Sequence, residues 1–178
     1  KFYRTPREVA ALGKRSVTGE LLAVWNGQRL MVREANGRIV NVTLAHGKTA
    51  PAPGTTVTVA GYPETDLFRL NLSRASIRTE KPTEPREEVP VTDLQQMFFT
   101  SETRPTPNQQ CHGMLLRVRG IVQNVPSPND TERRLLLSCG PHKLPVDLGP
   151  CPRAILEDLE LGTEVAVTGR GLLEIDTW

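Results

Sequence analysis

Aromatic residues are scarce in this chain: Phe, Tyr and Trp make up 4% of its 178 residues. A surface that stacks unpaired bases needs several rings close together, so the composition works against a single-strand nucleic-acid binder. No run approaches 18 apolar residues, so nothing in the chain reads as a membrane-spanning helix. Cysteine is limited to Cys111, Cys139 and Cys151. An odd number at irregular spacing is not the framework of a disulfide-stapled domain. One bridge plus one free thiol fits an oxidising compartment, with all three pairings open. The chain has no initiator Met and no signal-peptide pattern at Lys1, and it stops at Trp178 in what reads as a strand. The expectation is a piece of a longer protein, with any leader or membrane anchor outside it.

What is present has the composition of a globular protein, 38% hydrophobic and 24% charged. The net charge of +2 hides an asymmetry. Residues 1–80 carry 12 Lys and Arg against 6 Asp and Glu, whereas residues 81–178 carry 10 against 14. A basic first half attracts an anionic partner, and two surfaces of opposite sign equally attract each other.

An internal repeat organises the chain. Val17-Thr18-Gly19-Glu20-Leu21-Leu22-Ala23-Val24 matches Val118-Arg119-Gly120-Ile121-Val122-Gln123-Asn124-Val125. Arg29-Leu30-Met31-Val32 matches Arg134-Leu135-Leu136-Leu137, and Ile39–Leu44 matches Lys143–Leu148. The clearest pair is Gly54-Thr55-Thr56-Val57-Thr58-Val59-Ala60-Gly61 against Gly162-Thr163-Glu164-Val165-Ala166-Val167-Thr168-Gly169. Apolar and polar residues alternate in each block, the period of a strand with one buried face. Asn26-Gly27 and Asn36-Gly37 separate the first three blocks, and Asn-Gly accepts the positive φ values of a tight hairpin.

The spacing predicts an all-β protein with short helices: two tandem OB-like five-stranded Greek-key barrels, each preceded by a short helix. Residues 1–80 form the first unit, 81–91 a Pro- and Glu-rich linker, and 92–178 the second unit. Thr5-Pro6-Arg7-Glu8 and Thr92-Asp93-Leu94-Gln95 mark the prefacing helices. A fifth strand is expected near Phe68–Ile77 in the first unit and near Leu172–Trp178 in the second. In the second unit a helix is expected near 152–161, with Ile155, Leu156 and Leu159 on one side, where the first unit has only the loop Ala45–Pro53. Thr100–Gln110 reads as another extended stretch between helix and barrel.

Capped helix, V-x-G-x-(L/V), R-L-x-(V/L), I-x-V and G-T-x-V-x-V-x-G together resemble the tandem OB-like units in the extracytoplasmic sensor regions of bacterial membrane-anchored histidine kinases. That family's second-strand motif, V-Q-D-x-x-G-G-I-x-V, is approached by Val32–Val40, and the second unit has Ser138-Cys139-Gly140-Pro141-His142 there. The resemblance implies a periplasmic or extracellular, non-catalytic sensor or interaction module. Its membrane attachment would lie in segments outside this chain, and its partner would be an unidentified small ligand or protein. It implies no cofactor.

OB barrels bind oligonucleotides and sugars across strands two and three. With Leu30, Val32, Val40 and Val42 pointing inward, Arg29, Met31, Arg33, Ile39 and Asn41 face out, beside Trp25 in the turn. The outward set of the second unit is Arg117, Arg119, Arg134, Leu136 and Lys143. Trp25, Arg29, Arg33, Asn41, Arg117, Arg119, Arg134 and Lys143 are therefore the candidate ligand-binding residues. Single-stranded nucleic acid is the alternative partner, and a carbohydrate-binding or structural spacer module a further one. Cys111-His112, Cys139, His142 and Cys151 raise zinc, but paired knuckles are missing and Cys151 lies roughly 20 Å from the Cys139 turn at strand spacing. No metal is expected. A Cys–His nucleophile lacks an orienting acid and an oxyanion site, so no catalytic residue is expected either.

Overall fold

A computed structural model describes residues 5–65, 69–83, 87–100, 105–127, 133–149 and 153–173. The protein is mostly β, with two main sheets and three short helices among the described residues. These residues fall into two compact units, the first ending at Glu87 and the second spanning Glu88–Leu173.

In the first unit, helix α1 (Pro6–Ala10) begins with the expected capping box. The Thr5 backbone N–H donates to Glu8 Oε2 at 2.7 Å, and the Glu8 N–H returns to Thr5 Oγ1 at 3.4 Å. Five strands follow: β1 (Arg15–Trp25), β2 (Arg29–Glu34), β3 (Ile39–Leu44), β4 (Thr55–Thr65) and β5 (Leu70–Pro82). Their ladder runs β1-β2-β3-β5-β4 and returns to β1 through β4, the β3–β5 step being parallel. Alternation puts Val17, Leu21, Leu30, Val32, Val40, Val42, Leu44, Val57, Val59, Leu72 and Ala75 into one interior cluster. Full burial of each large member contributes about 1.5–3 kcal/mol.

Two features of β1 allow the ladder to close. At Gly19 the strand presses on β2: a Cβ there would sit 2.2 Å from the Arg33 carbonyl oxygen. Beyond it the register slips by one residue between Leu21 and Ala23, a bulge that bends the strand and increases its twist. The turns are local. Asn26 and Gly27 both have positive φ (47° and 66°), as the Asn-Gly signature predicts. At Asn36-Gly37 only Gly37 does, at 83°. That hairpin has a three-residue loop, in which one left-handed residue suffices.

The second unit contains α2 (Leu94–Met97), a small ladder of β6 (Phe98–Thr100) with β7 (Pro105–Pro107), a 3₁₀ turn (Gln109–Cys111), and strands β8 (Leu115–Asn124), β9 (Arg134–Cys139) and β10 (His142–Asp147). Helix α3 (Arg153–Glu157) and strand β11 (Glu164–Arg170) complete it. Its main sheet has the order β10-β9-β8-β11. Met97, Cys111, Val118, Val122, Leu135, Leu137 and Cys139 form its buried cluster.

The repeat holds at the level of individual ladder pairs. Val17 opposes Val59 as Val118 opposes Val167, and Gly19 opposes Val57 as Gly120 opposes Val165. Leu30 opposes Val42 as Leu135 opposes Val146. The bulge recurs between Val122 and Asn124. The Gly54 N–H reaches the Leu21 carbonyl at 2.8 Å, and the Gly162 N–H reaches that of Val122 at 2.9 Å. Both glycines have φ near the left-handed region's outer edge, at 83° and 81°.

Several expectations change. β5 extends beyond Ile77 to Pro82, so Lys81 and Pro82 are strand residues paired with Thr56 and Thr55. Val91 bridges to Leu116 of β8, so the segment 81–91 is not a free linker throughout. Part of Thr100–Gln110 is likewise folded, because Thr100, Pro105, Thr106 and Pro107 carry ladder pairs. Asp93 rather than Thr92 caps α2, accepting from the Gln95 N–H at 2.8 Å. α3 is shorter than 152–161, and it turns Leu156 inward while Ile155 stays exposed. The second unit shows four main strands among the described residues. Leu172 and Leu173 are not strand, and residues 174–178 lie outside the described ones.

Gly120 repeats the pinch of Gly19: a Cβ there would meet Cys139 Sγ at 2.6 Å and the Ser138 carbonyl oxygen at 2.9 Å. Gly19→Ala and Gly120→Ala are each expected to cost about 1–3 kcal/mol, read as a lower midpoint in urea unfolding. Wild-type midpoints for both variants would refute the pinch.

Candidate functional site

The candidate residues of the first unit do not form an open face. Trp25 ends β1 rather than sitting in the turn, and it is 8% exposed. Its Nε1 is buried without a hydrogen-bond partner, so the ring is not a free stacking platform. Met31, expected on the outer surface, is 1% exposed although it lies outside the interior cluster. Alternation fixes which side of a sheet a residue points to, not whether that side is covered.

Arg33 does point outward, but Glu20 holds it. Arg33 Nη2 donates to Glu20 Oε2 at 2.7 Å, with both side chains about one-sixth exposed, 17% and 16%. The bulge in β1 creates this pair. Its one-residue slip sets Glu20 opposite Arg33 and Gly19 opposite Glu34, whereas the register of Val24 with Leu30, continued unbroken, would set Glu20 opposite Glu34. The sequence carries no signal for the slip, so Glu20 was missed as a counter-ion. Other cations of this unit are also paired: Arg38 with Glu34, and Arg78 with Glu80 through Nε at 3.0 Å and Nη2 at 2.7 Å. Arg78, then Thr58, hold the Glu80 carboxyl below its usual range. Arg29 is exposed at the far end of β2, and Asn41 is half-buried opposite Met31.

The second unit presents its set openly. Arg117, Arg119, Arg134 and Lys143 are all exposed. Arg117 and Arg119 alternate on β8 opposite Thr168 and Ala166, Lys143 of β10 opposes Ser138, and Arg134 opposes Asp147. At strand spacings, neighbouring cations stand about 7–13 Å apart. Between them lie Leu136 and Pro145, directly opposite each other, and Ile121, which is 46% exposed. Glu164, exposed opposite Ile121, and Asp147, opposite Arg134, share this face, so it is a dispersed, net cationic field with apolar patches rather than a clamp. Ile121 was missed because the repeat aligns it with the polar Glu20.

Cys111, Cys139, His112 and His142 are committed elsewhere. Cys111 and Cys139 are free and buried, and burial raises both thiols above their ordinary pKa. His142 stacks on Phe98 with ring centroids 4.2 Å apart and planes 7° from parallel. His112 Nδ1 accepts the Leu173 backbone N–H at 3.2 Å. No group of three His, Cys, Asp or Glu among the described residues is arranged to hold a metal ion, and Cys151 lies outside those residues. No helix among the described residues is long and apolar enough to cross a membrane.

Since the folded thiols are raised, the unfolded chain releases these protons first, from about pH 9 upward. Their contribution to stability is therefore complete below that pH and declines as pH rises. Iodoacetamide at pH 8 is expected to label Cys111 and Cys139 at least about 100-fold more slowly in the native chain than in the denatured one. Peptide mass spectrometry reads this, and comparable rates would contradict it.

In comparisons with known proteins, no family model and no curated protein matches the chain.

Proposed function

We propose that the chain is a non-catalytic interaction module of two OB-like units, which recognises an anionic partner on the outer face of the second sheet. The order β1-β2-β3-β5-β4 with its parallel β3–β5 step supports an OB-like Greek-key barrel for the first unit. The matching registers of β8–β11 support the same plan for the second.

The observation that carries this reading is the contrast between equivalent faces. The first unit has Trp25 and Met31 buried and Arg33 neutralised, while the second leaves Arg117, Arg119, Arg134 and Lys143 exposed. A dispersed cationic field steers an acidic protein face toward productive encounter. A small anion would want convergent donors, and a single nucleic-acid strand would want exposed rings. Cys111 and Cys139, raised by burial, and His112 and His142, already engaged, are unlike an activated nucleophile, which supports a non-catalytic role. The proposed setting is extracytoplasmic, as part of a signalling protein, and rests on the resemblance to kinase sensor regions.

Titration with polyglutamate at two salt concentrations tests the face. The triple variant Arg117→Glu, Arg119→Glu, Lys143→Glu is expected to melt within about 2–4 °C of wild type, because exposed substitutions cost little. It should bind polyglutamate at least about tenfold more weakly. Binding that ignores both salt and the three substitutions would refute the proposal. Oligo(dT) bound more tightly than duplex DNA of equal charge would replace it with single-strand nucleic-acid recognition.

A further inference from the structure

The cationic face of the second unit has an acidic counterpart on the same unit. Residues 154–169 contain Glu157, Asp158, Glu160 and Glu164 and no Lys or Arg. All four acidic residues are exposed. Two apolar side chains stand open among them, Ile155 at 52% and Leu161 at 68%. Helix α3 turns Leu156 into the core at 2%, which commits Ile155 and Glu157 to the outside. The cationic face carries the same mixture with the sign reversed: Arg117, Arg119 and Lys143 stand around Ile121, 46% exposed, and the exposed Pro145. In such a surface the apolar groups are what a contact desolvates, and the charges choose the partner.

The acidic strip cannot satisfy the face of its own molecule. The Gly162 N–H donates to the Val122 carbonyl at 2.9 Å, and the Val122 N–H donates to the Thr163 carbonyl at 3.0 Å. Glu164 then enters the β8–β11 ladder opposite Ile121. These bonds fix the strip beside the Ile121 end of β8. Arg117 lies four residues along the same strand, about 13 Å away at strand spacing. A strip tied to the backbone of β8 cannot fold over the face that β8 itself builds.

We propose that the acidic strip of one molecule docks on the cationic face of a second copy of the chain. This rests on the reading of that face as an anion-recognising surface, and it names the partner. Asp158, Glu160 and Glu164 of one copy meet Arg117, Arg119 and Lys143 of the other, and the apolar side chains between the charges are buried together. Charge fixes the pairing, because face on face and strip on strip both repel. Each patch is modest in size, so the association belongs to the weak, transient class, and salt weakens it.

Sedimentation velocity of the 178-residue chain, from about 1 µM to about 1 mM, tests this. The average mass is expected to rise with concentration, and self-association to weaken at least about tenfold between about 50 and about 500 mM salt. Two charge-reversed variants carry the decision. One is Arg117→Glu, Arg119→Glu, Lys143→Glu on the face; the other is Asp158→Lys, Glu160→Lys, Glu164→Lys on the strip. Both change exposed positions and should melt within about 2–4 °C of wild type. Each alone should stay monomeric where wild type associates. An equal mixture should associate again, because each variant brings the surface the other lacks, and a misfolded chain cannot give that rescue. The strip variant keeps the cationic face, so it should still bind polyglutamate. Wild type that binds polyglutamate yet stays monomeric throughout overturns the second-copy partner and leaves the face to an acidic protein of another kind. Failure of wild type to bind polyglutamate removes the face and this proposal together. Self-association by either variant alone, or a mixture that stays monomeric, also overturns the proposal.

Discussion

In both units the first strand of the main sheet has to serve two neighbours, and everything else depends on the bend that permits it. β1 pairs with β4 over Arg15–Glu20 and with β2 over Gly19–Trp25. The changeover falls on Gly19, where the Arg33 carbonyl occupies the space a side chain would need. β8 does the same at Gly120 against Ser138 and Cys139. A glycine costs backbone entropy within a strand, but here a methyl group would push two ladders apart. The bulge one turn of the pleat later adds the twist that carries the strand round.

The same bulge decides the electrostatics. By moving Glu20 opposite Arg33 it converts a like-charge encounter into an ion pair on the first unit's outer face. In the second unit the equivalent positions are Ile121 and Ser138, which oppose each other without charge. Asn124 there bridges the slip with its side-chain amide, donating to the Arg134 carbonyl at 3.1 Å and accepting from the Leu136 N–H. One backbone device thus supports a neutral, covered face in one copy and an exposed cationic face in the other. The two units share the ladder despite their different surfaces, because the register depends on inward residues and glycines, not on outward charges.

Much of the fold was legible because it is encoded locally. Val57 and Val59 alternate with Thr56 and Thr58, Asn26-Gly27 fits a tight hairpin, and Thr5 with Glu8 forms a capping box without help from the rest of the chain. Segments that take their shape from contacts were misread. Proline and charge made residues 81–91 and Thr100–Gln110 look like extended linkers, yet Lys81, Pro82 and Val91 are held by strands distant in sequence, and Pro105–Pro107 pair with Phe98–Thr100.

The order of the strands, the repeat and the inward-facing sets are properties of the sequence itself, since a period of two assigns each side chain to one side of its sheet. The outward direction of Arg117, Arg119, Arg134 and Lys143 follows from that rule. Tertiary structure alone decided that Trp25 and Met31 are buried and that Glu20 neutralises Arg33. Covering a face and slipping a register both depend on residues far away in the chain, and no local pattern of side chains specifies them.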